Sequence, residues 1–389
     1  MSRTALLLAF AGLAACAPAG PEPAAPAQAP RWTEVSRYLD SVIADGVAPG
    51  AVLGVSYRGC HSYHGSGRLG LDDGTRPDSA TIYDLASLTK VVGLTTVTML
   101  AVERGAIALD SPVVRYVPAF ANGAVTVRHL LTHSSGLPAW RPLHQETTSR
   151  VAALMLVDTT RLVTAPGDSF AYSDLGAILL TQAMERTLGS RMDTLVERLL
   201  TRPLRLQDTR YLPPDAWRPR IAPTENDPWR GRMLRGEVHD ENAARLDGVS
   251  GHAGLFGSAR DLLRFGDWLL AGLGDPVDAP GCDPRGLPDP PKLVGEFILR
   301  QELPPGSSRA LGWDTPSGVS SAGTILGPRS FGHTGFTGTS IWIDPSRRLV
   351  VVLLANRVHP TRENPRFGPV RGGIADRVAR ALGFDTVIR

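Results

Sequence analysis

Ser87-Leu88-Thr89-Lys90 places a serine and a lysine three residues apart, in a chain that almost never uses lysine. Of its 41 Lys and Arg residues only Lys90 and Lys292 are lysines. A guanidinium stays protonated in a protein, whereas burial can strip an ammonium of its proton. At the start of a helix the Ser87 hydroxyl sits near the positive end of the helix dipole, and Lys90 shares its face. A Lys90 neutralised by burial could take the Ser87 proton and leave an activated nucleophile. The tetrad alone is weak, because a solvated helix end often carries the same pair. Scarcity of lysine also fits a genome biased toward Arg, Ala, Gly and Pro.

Two other clusters add parts. Tyr172-Ser173-Asp174 opens an apolar helical stretch. A phenol there can move a proton between nucleophile and leaving group, although a buried core tyrosine is the plainer fate of such a residue. His333-Thr334-Gly335 stands before a C-terminal strand, and Gly335 would let the backbone approach a substrate closely. The backbone N–H groups of Ser87 and Phe336 could together form an oxyanion hole.

These groups need a frame. Val35, Leu39, Val42 and Ile43 recur at helical spacing between Trp32 and Ala44. Gly50 to Tyr57 and His61 to Gly67 read as a hairpin across Arg58-Gly59. A helix is expected from Ser87 to Arg104, stopped by Gly105, and further helices over Thr126–Thr132, Ser149–Leu156, Tyr172–Leu188, Met192–Leu200 and Ala259–Leu270. Near the C-terminus, Ala310 to Asp314 reads as a short strand. Gly338–Ile343 and Leu349–Ala355 read as a hairpin, and Ile374–Leu382 as a last helix. Strands lie at both ends and helices between them. The simplest closure is an α/β (α+β) fold: one antiparallel sheet built from both ends, flanked by N- and C-terminal helices, with a helical lobe inserted. This assigns 32–85 and 305–389 to the α/β lobe and 86–304 to the helical lobe.

The composition is that of a globular protein, with 42% hydrophobic and 20% charged residues among 389. A formal net charge of +3, with no basic run, gives no support for nucleic-acid binding. Arg3 and the apolar stretch Leu6–Leu13, ending in Leu13-Ala14-Ala15-Cys16, look like a lipoprotein signal peptide over residues 1–15. The expectation is export, cleavage before Cys16, and attachment to the cell envelope through a lipid on its sulfur. An ordinary secretory signal is the alternative. Residues 16–31, rich in Ala and Pro, read as a flexible tether. Export would leave Cys60 and Cys282 in an oxidising compartment, either bridged or as two free thiols.

Taken in order, Asp84-Leu85-Ala86-Ser87-Leu88-Thr89-Lys90, Leu130-Leu131-Thr132-His133-Ser134-Ser135-Gly136-Leu137-Pro138, Tyr172-Ser173-Asp174-Leu175-Gly176, Gly251-His252-Ala253-Gly254-Leu255-Phe256 and Gly332-His333-Thr334-Gly335 form a specific set. From Trp32 onward the chain resembles the serine β-lactamase and penicillin-binding-protein superfamily, in the branch near class C β-lactamases, D-alanyl-D-alanine carboxypeptidases and related esterases. The resemblance implies two lobes with the site between them. It implies Ser87 as acylated nucleophile, Lys90 as activator and Tyr172 as proton shuttle, with no cofactor or metal. Asp174, His333, Thr334 and Gly335 would face the substrate, with His333 and Thr334 recognising a carboxylate or carbonyl from the sheet edge.

Two residues depart from the pattern. Many relatives have asparagine where Asp174 stands, and an ionised carboxylate cannot donate a hydrogen bond to a substrate carbonyl. Many have lysine where His333 stands, and histidine is charged only part of the time near neutral pH. Both changes weigh against efficient β-lactam hydrolysis. Together with His239-Asp240-Glu241-Asn242 and His359-Pro360-Thr361-Arg362, they look like a branch of cell-wall carboxypeptidases and muramoyl-peptide amidases. The expectation is therefore a serine hydrolase acting on peptidoglycan peptides. A carboxylesterase or β-lactamase is the alternative among enzymes, and a penicillin- or peptidoglycan-binding protein without turnover is the alternative of another class. The Gly65-Ser66-Gly67-Arg68-Leu69-Gly70 run reads as a hairpin rather than a dinucleotide loop, since a turn and no helix follows it. His61 and His64 lack partners at zinc spacing. His133 reads as fixing a helix-ending turn. The sequence does not set the oligomeric state.

Overall fold

The computed structural model describes residues 32–274, 282 and 286–385. The expected signal peptide (1–15), Cys16 and the expected tether (16–31) lie outside them. In chain order the elements that build the site are helix α1 (Trp32–Ala44), strands β1 (Gly50–Tyr57), β2 (Cys60–Gly67) and β3 (Ile82–Asp84), and a π-helical stretch Lys90–Thr95 running into α2 (Thr96–Glu103). Helices α3 (Val127–Leu131), α4 (Arg150–Asp158) and α5 (Asp174–Leu188), the short strand β4 (Arg210–Tyr211), and α6 (Glu241–Arg245) come next. Strand β5 (Leu255–Ser258), α7 (Ala259–Ala271), β6 (Phe331–Thr334), β7 (Ser340–Asp344), β8 (Leu349–Ala355) and α8 (Gly368–Ala381) complete the set. Among the described residues no helix is long and apolar enough to cross a membrane.

The main sheet is antiparallel, in the order β2-β1-β8-β7-β6, so strands from the two ends of the chain meet at β1 and β8. Arg58 (φ 52°) and Gly59 (φ 80°) make the tight turn between β1 and β2, with the two positive φ values that a two-residue hairpin needs. Both faces of the sheet are covered. Leu349, Val351, Leu353 and Ala355 pack with α1 and α8, while Val350, Val352 and Leu354 face the large core shared with α7 and the helical region. That explains why β8 is a continuous apolar run rather than an alternating one. Each such Val or Leu contributes about 1.5–3 kcal/mol when fully buried. Helix α7 lies close on this face, and a Cβ on Gly266 would fall 2.7 Å from Val350. So α7, inside the 86–304 segment expected to form the helical lobe, packs on the sheet instead.

The helices begin where side-chain caps allow. Thr126, Ser149, Ser173 and Ser258 each accept a backbone N–H from the first turn of the helix they precede. Helix α5 ends at Gly189, which takes the left-handed φ of 65°. Three details depart from the sequence reading. Ala310–Asp314 forms no strand and contributes only an isolated bridge, Asp314 to Gly332. His333-Thr334 does stand before the hairpin strand, but it also forms a strand of its own that the sequence reading lacked, edge strand β6. The last helix begins at Gly368 rather than Ile374. Cys60 and Cys282, left open by the sequence, are joined as a disulfide across 222 residues.

Candidate active site

Ser87 occupies the turn between β3 and the helix that carries Lys90. The preceding residue, Ala86, sits in the left-handed region at φ 47°, where a non-glycine residue is strained and must be held. Asp84 holds it. Its buried carboxylate accepts the Ala86 N–H through Oδ1 at 2.8 Å and the His239 N–H through Oδ2 at 2.7 Å. Burial raises the Asp84 pKa, and these amide donors and the nearby His239 only partly offset it. The turn is also pinned from the sheet. Thr337 and Thr339 donate hydroxyl hydrogen bonds to the Asp84 and Leu85 carbonyls at 2.8 and 3.0 Å. The Ser87 and Phe336 amides have no hydrogen-bond partner among the described residues, which leaves both N–H groups free to meet an oxyanion.

Lys90 is almost wholly buried, 2% exposed, and its Nζ lies 3.0 Å from Ser87 Oγ. The same nitrogen is 3.0 Å from the His252 carbonyl oxygen and 2.7 Å from Asp174 Oδ1. The contacts with Ser87 and His252 are hydrogen bonds; that with Asp174 is an ion pair, and Asp174 Oδ1 is itself buried without a hydrogen-bond partner among the described residues. A carboxylate at this distance opposes the neutral amine expected from burial alone. Burial pulls the Lys90 pKa down, but the neighbouring Asp174 carboxylate outweighs it, and the net shift is upward. Asp174, expected at the substrate, pairs with Lys90 and is not part of the cleft wall.

Tyr172 immediately precedes the cap of α5. Its ring packs on His133 at 4.5 Å, and the Lys90 ammonium lies 4.9 Å from its centroid. The Tyr172 hydroxyl is buried without a hydrogen bond of good geometry. His133 does fix a turn, at φ 55°, and its Nδ1 also accepts the Ser173 N–H at 3.1 Å, setting the entry into α5. Burial, with the cations Arg309 and Lys90 nearby, holds His133 neutral.

Ser87 and Tyr172 open on a cleft of about 550 Å³ whose other wall carries His333, Thr334, Gly335 and Phe336. His333 is buried, and burial together with Arg309 and Lys90 keeps it well below the ordinary histidine range. The expected part-time cation is thus a neutral ring. With Nδ1–H assigned as donor to the Thr334 carbonyl at 2.8 Å, Nε2 is an acceptor, buried and without a partner. The positive charge comes instead from Arg309, Arg357 and Arg371. Arg309 Nη1 and Arg371 Nε are both buried donors without a hydrogen-bond partner among the described residues. Burial and the neighbouring Arg357 pull the Arg371 pKa down to about 10.

The Beta-lactamase family model matches residues 35–370. The chain belongs to the β-lactamase family. A protein of Salmonella typhimurium, provisionally named a D-alanyl-D-alanine carboxypeptidase, is 30% identical over 327 residues, covering 76% of this chain and 73% of its own length. Among solved structures, a penicillin-binding-protein homologue from Caulobacter crescentus aligns at a TM-score of 0.70 and 20% identity, over 91% of this chain and 98% of its own. A class C β-lactamase from Rhodobacter sphaeroides gives 0.65 and 22%, over 90% and 97%. EstCE1, a hydrolase with promiscuous acyltransferase activity, gives 0.68 and 20%, over 90% and 98%. The sheet with inserted helices is this family's fold, and the chain is a serine hydrolase of that family.

The structure brings Ser87, Lys90, Tyr172, Asp174, His333, Thr334 and Gly335 together. Sequence reasoning missed Asp84, Arg309, Arg371 and the His252 carbonyl. Asp84 and His252 stood inside quoted motifs without a role. The arginines carried no signal in a chain so rich in that residue. Among the described residues no group of His, Cys, Asp and Glu could hold a metal ion.

Proposed function

We propose that this β-lactamase-family hydrolase acts on peptidoglycan peptides through an acyl-enzyme on Ser87, releasing a carboxyl-terminal D-alanine. The observation that carries this reading is the pair of unmatched buried donors, Arg309 Nη1 and Arg371 Nε, in the cleft that Ser87 lines. Buried donors without acceptors cost free energy, and a ligand carboxylate repays it best. A peptide ending in free D-alanine has that group next to its scissile bond; a simple neutral ester does not. The Salmonella relative's name points the same way. Past the Asp314–Gly332 bridge the outer edge of β6 pairs with no other strand among the described residues, which suits an extended peptide backbone.

The chemistry follows from placement. Ser87 Oγ attacks the carbonyl carbon as its proton passes to the deprotonated form of Lys90, 3.0 Å away. The carbonyl oxygen, now negative, is met by the Ser87 and Phe336 amides. Tyr172, beside both Lys90 and the cleft, gives its proton to the departing amine and takes the one that Lys90 received from Ser87. Water then releases the acyl group by the reverse path. We further propose that the protein is exported and anchored through a lipid on Cys16, which radiolabelled palmitate on the wild type but not on Cys16→Ser would test.

Purified protein incubated with digested cell-wall fragments decides the bond. Loss of one alanine supports the reading. Loss of a whole stem peptide selects an amidase, and turnover of esters alone selects an esterase. A fluorophosphonate label should appear on wild type and vanish in Ser87→Ala; labelling that survives removes Ser87 as nucleophile.

A further inference from the structure

We propose that Arg371 and Arg357 are positioning residues for the oxyanion hole: each grips a carbonyl beside Phe336, and together they aim its N–H at the oxygen of the group that Ser87 attacks. The proposal rests on Ser87 being the nucleophile and on Phe336 supplying the second amide. It does not depend on which bond is cleaved or on what Arg371 Nε binds.

The starting point is one peptide plane. The Gly335 carbonyl and the Phe336 N–H belong to the same trans peptide unit, so they point in opposite directions and fixing one fixes the other. Arg371 Nη2 donates to the Gly335 carbonyl at 2.7 Å, and the Gly338 N–H reaches the same oxygen at 3.2 Å. The next plane is held as well. Arg357 Nε donates to the Phe336 carbonyl at 2.7 Å, and the Arg357 N–H donates to the Thr337 carbonyl at 2.9 Å. Three successive carbonyls in the turn from β6 to β7 are therefore satisfied. The Phe336 amide among them has no acceptor among the described residues, and Phe336 lines the cleft with Ser87. Folded proteins rarely leave a backbone donor in that state, and a ligand oxygen is the partner this one lacks.

Both side-chain grips are charged. A guanidinium makes a stronger bond to a carbonyl than a neutral donor does. It also polarises the peptide, drawing electrons toward the carbonyl oxygen and leaving the amide hydrogen more positive. The Phe336 N–H thus suits a negative oxygen better than an ordinary amide would. Arg371 Nη2 is committed to this task, which leaves Nε for a ligand.

The Phe336 side chain is held too. It is 50% exposed, yet its ring stacks with His239 at 5.8 Å and 24°, and the Arg357 guanidinium lies 4.4 Å from its centroid. Arg357 Nη1 is anchored in turn on the Arg362 and Asn364 carbonyls at 3.3 and 3.0 Å. His239 donates its N–H to the Asp84 carboxylate, which also accepts the Ala86 N–H, and its Nε2 lies 2.8 Å from Glu225 Oε2. Asp84 therefore ties the turn that carries the Ser87 amide to the ring that packs on Phe336. The two donors of the hole come from separate segments of the chain, and these contacts keep them in register.

The rate at which Ser87 is phosphonylated tests this without a substrate carboxylate and without turnover. The probes are a neutral fluorophosphonate and its thio counterpart, in which sulfur replaces the P=O oxygen that enters the hole. Sulfur is a weak acceptor and gains little from a well-aimed N–H. Arg371→Leu should lower the P=O rate about tenfold, short of the 10²–10³-fold that follows loss of a whole donor, and leave the P=S rate within about twofold. Equal slowing of both probes, or of neither, overturns the proposal while leaving Ser87 as nucleophile. Should Arg371→Leu fail to fold, Arg357→Met is judged by the same ratio, since it keeps an unbranched stem and removes the donor to the Phe336 carbonyl. Persistent labelling of Ser87→Ala would instead remove the nucleophile on which the proposal rests.

Discussion

Gly335 lies so close to Leu85 that a Cβ built on it would fall 2.5 Å from the Leu85 carbonyl oxygen. That contact seats the end of β6 against the turn that presents Ser87. Gly335→Ala must push the two apart, because a backbone oxygen cannot yield. The strand pairings of β6, β7 and β8 do not involve the added methyl, so the fold should survive. Fluorophosphonate labelling of Ser87 is expected to slow about 10²-fold, the usual scale for a misplacement near 1 Å. Gly123→Ala, where the methyl meets open space, serves as the control with an unchanged rate.

Lys90→Arg separates charge from proton transfer. A guanidinium can still pair with Asp174 but cannot hand on a proton. Circular dichroism should report a folded protein. Acylation, followed by stopped-flow with a fluorescent penicillin, should drop by about 10²–10⁴-fold. Near wild-type rates in Lys90→Arg would mean that Lys90 supplies charge alone.

Arg309→Leu keeps much of the side-chain bulk and removes Nη1, a buried donor without a partner among the described residues, together with a loose ion pair to Asp314 at 3.7 Å. A charge-assisted hydrogen bond is worth about 1.5–3 kcal/mol, so KM for a peptide with a free terminal carboxylate should rise about tenfold or more. The same peptide with an amidated terminus should be unaffected by the change. Equal losses on both peptides would take carboxylate recognition away from Arg309.

His133 makes stability depend on pH. Its folded pKa lies well below 6.5 because the ring is buried, so below that pH the unfolded chain binds a proton that the folded chain does not. Stability therefore rises with pH up to about 6.5 and is lost as pH falls from 7 toward 5. His133→Asn keeps an acceptor for the Ser173 N–H and tolerates the positive φ, but it does not titrate. Urea unfolding across pH 5–7 should show a slope shallower by up to about 1.4 kcal/mol per pH unit. The slope is the readout, since the loss of ring packing on Tyr172 lowers stability equally at every pH.

Several of these residues were visible in the sequence because their neighbours in the chain are also their neighbours in space. Ser87 and Lys90 are one turn apart, and the β8 run Leu349–Ala355 was readable to the residue, since burial on both faces leaves an unbroken apolar string. The start of α8 was not. Gly368, Pro369, Gly372 and Gly373 are poor helix formers, but a Cβ on Gly373 would meet the Tyr38 hydroxyl at 2.7 Å, so contact with α1 favours a small residue there over helix propensity. Ala310–Asp314 failed in the other direction: Gly312, at φ 80° and tight against Thr95, bends an otherwise strand-like run. The ion pair of Lys90 was missed because burial can be read from the local pattern, while its partner Asp174 is 84 positions away. Arg309 and Arg371 gave no cue, being two among 39 arginines, the 41 Lys and Arg residues less two lysines.

The pairing of β1 with β8 has a consequence for how the protein comes into being. Val55 finds its partner in Val351, roughly 300 residues later, which at ribosomal speeds of about 5–20 residues per second means a wait of about 15–60 s. Until then the hairpin at the front of the chain has one unmatched edge, and the turn bearing Ser87 lacks the Thr337 and Thr339 hydroxyls that brace it. A nascent or truncated chain thus holds its reactive serine without the scaffold that makes it reactive. Competence arrives only when the segment carrying these two threonines has docked beside β1 and β3.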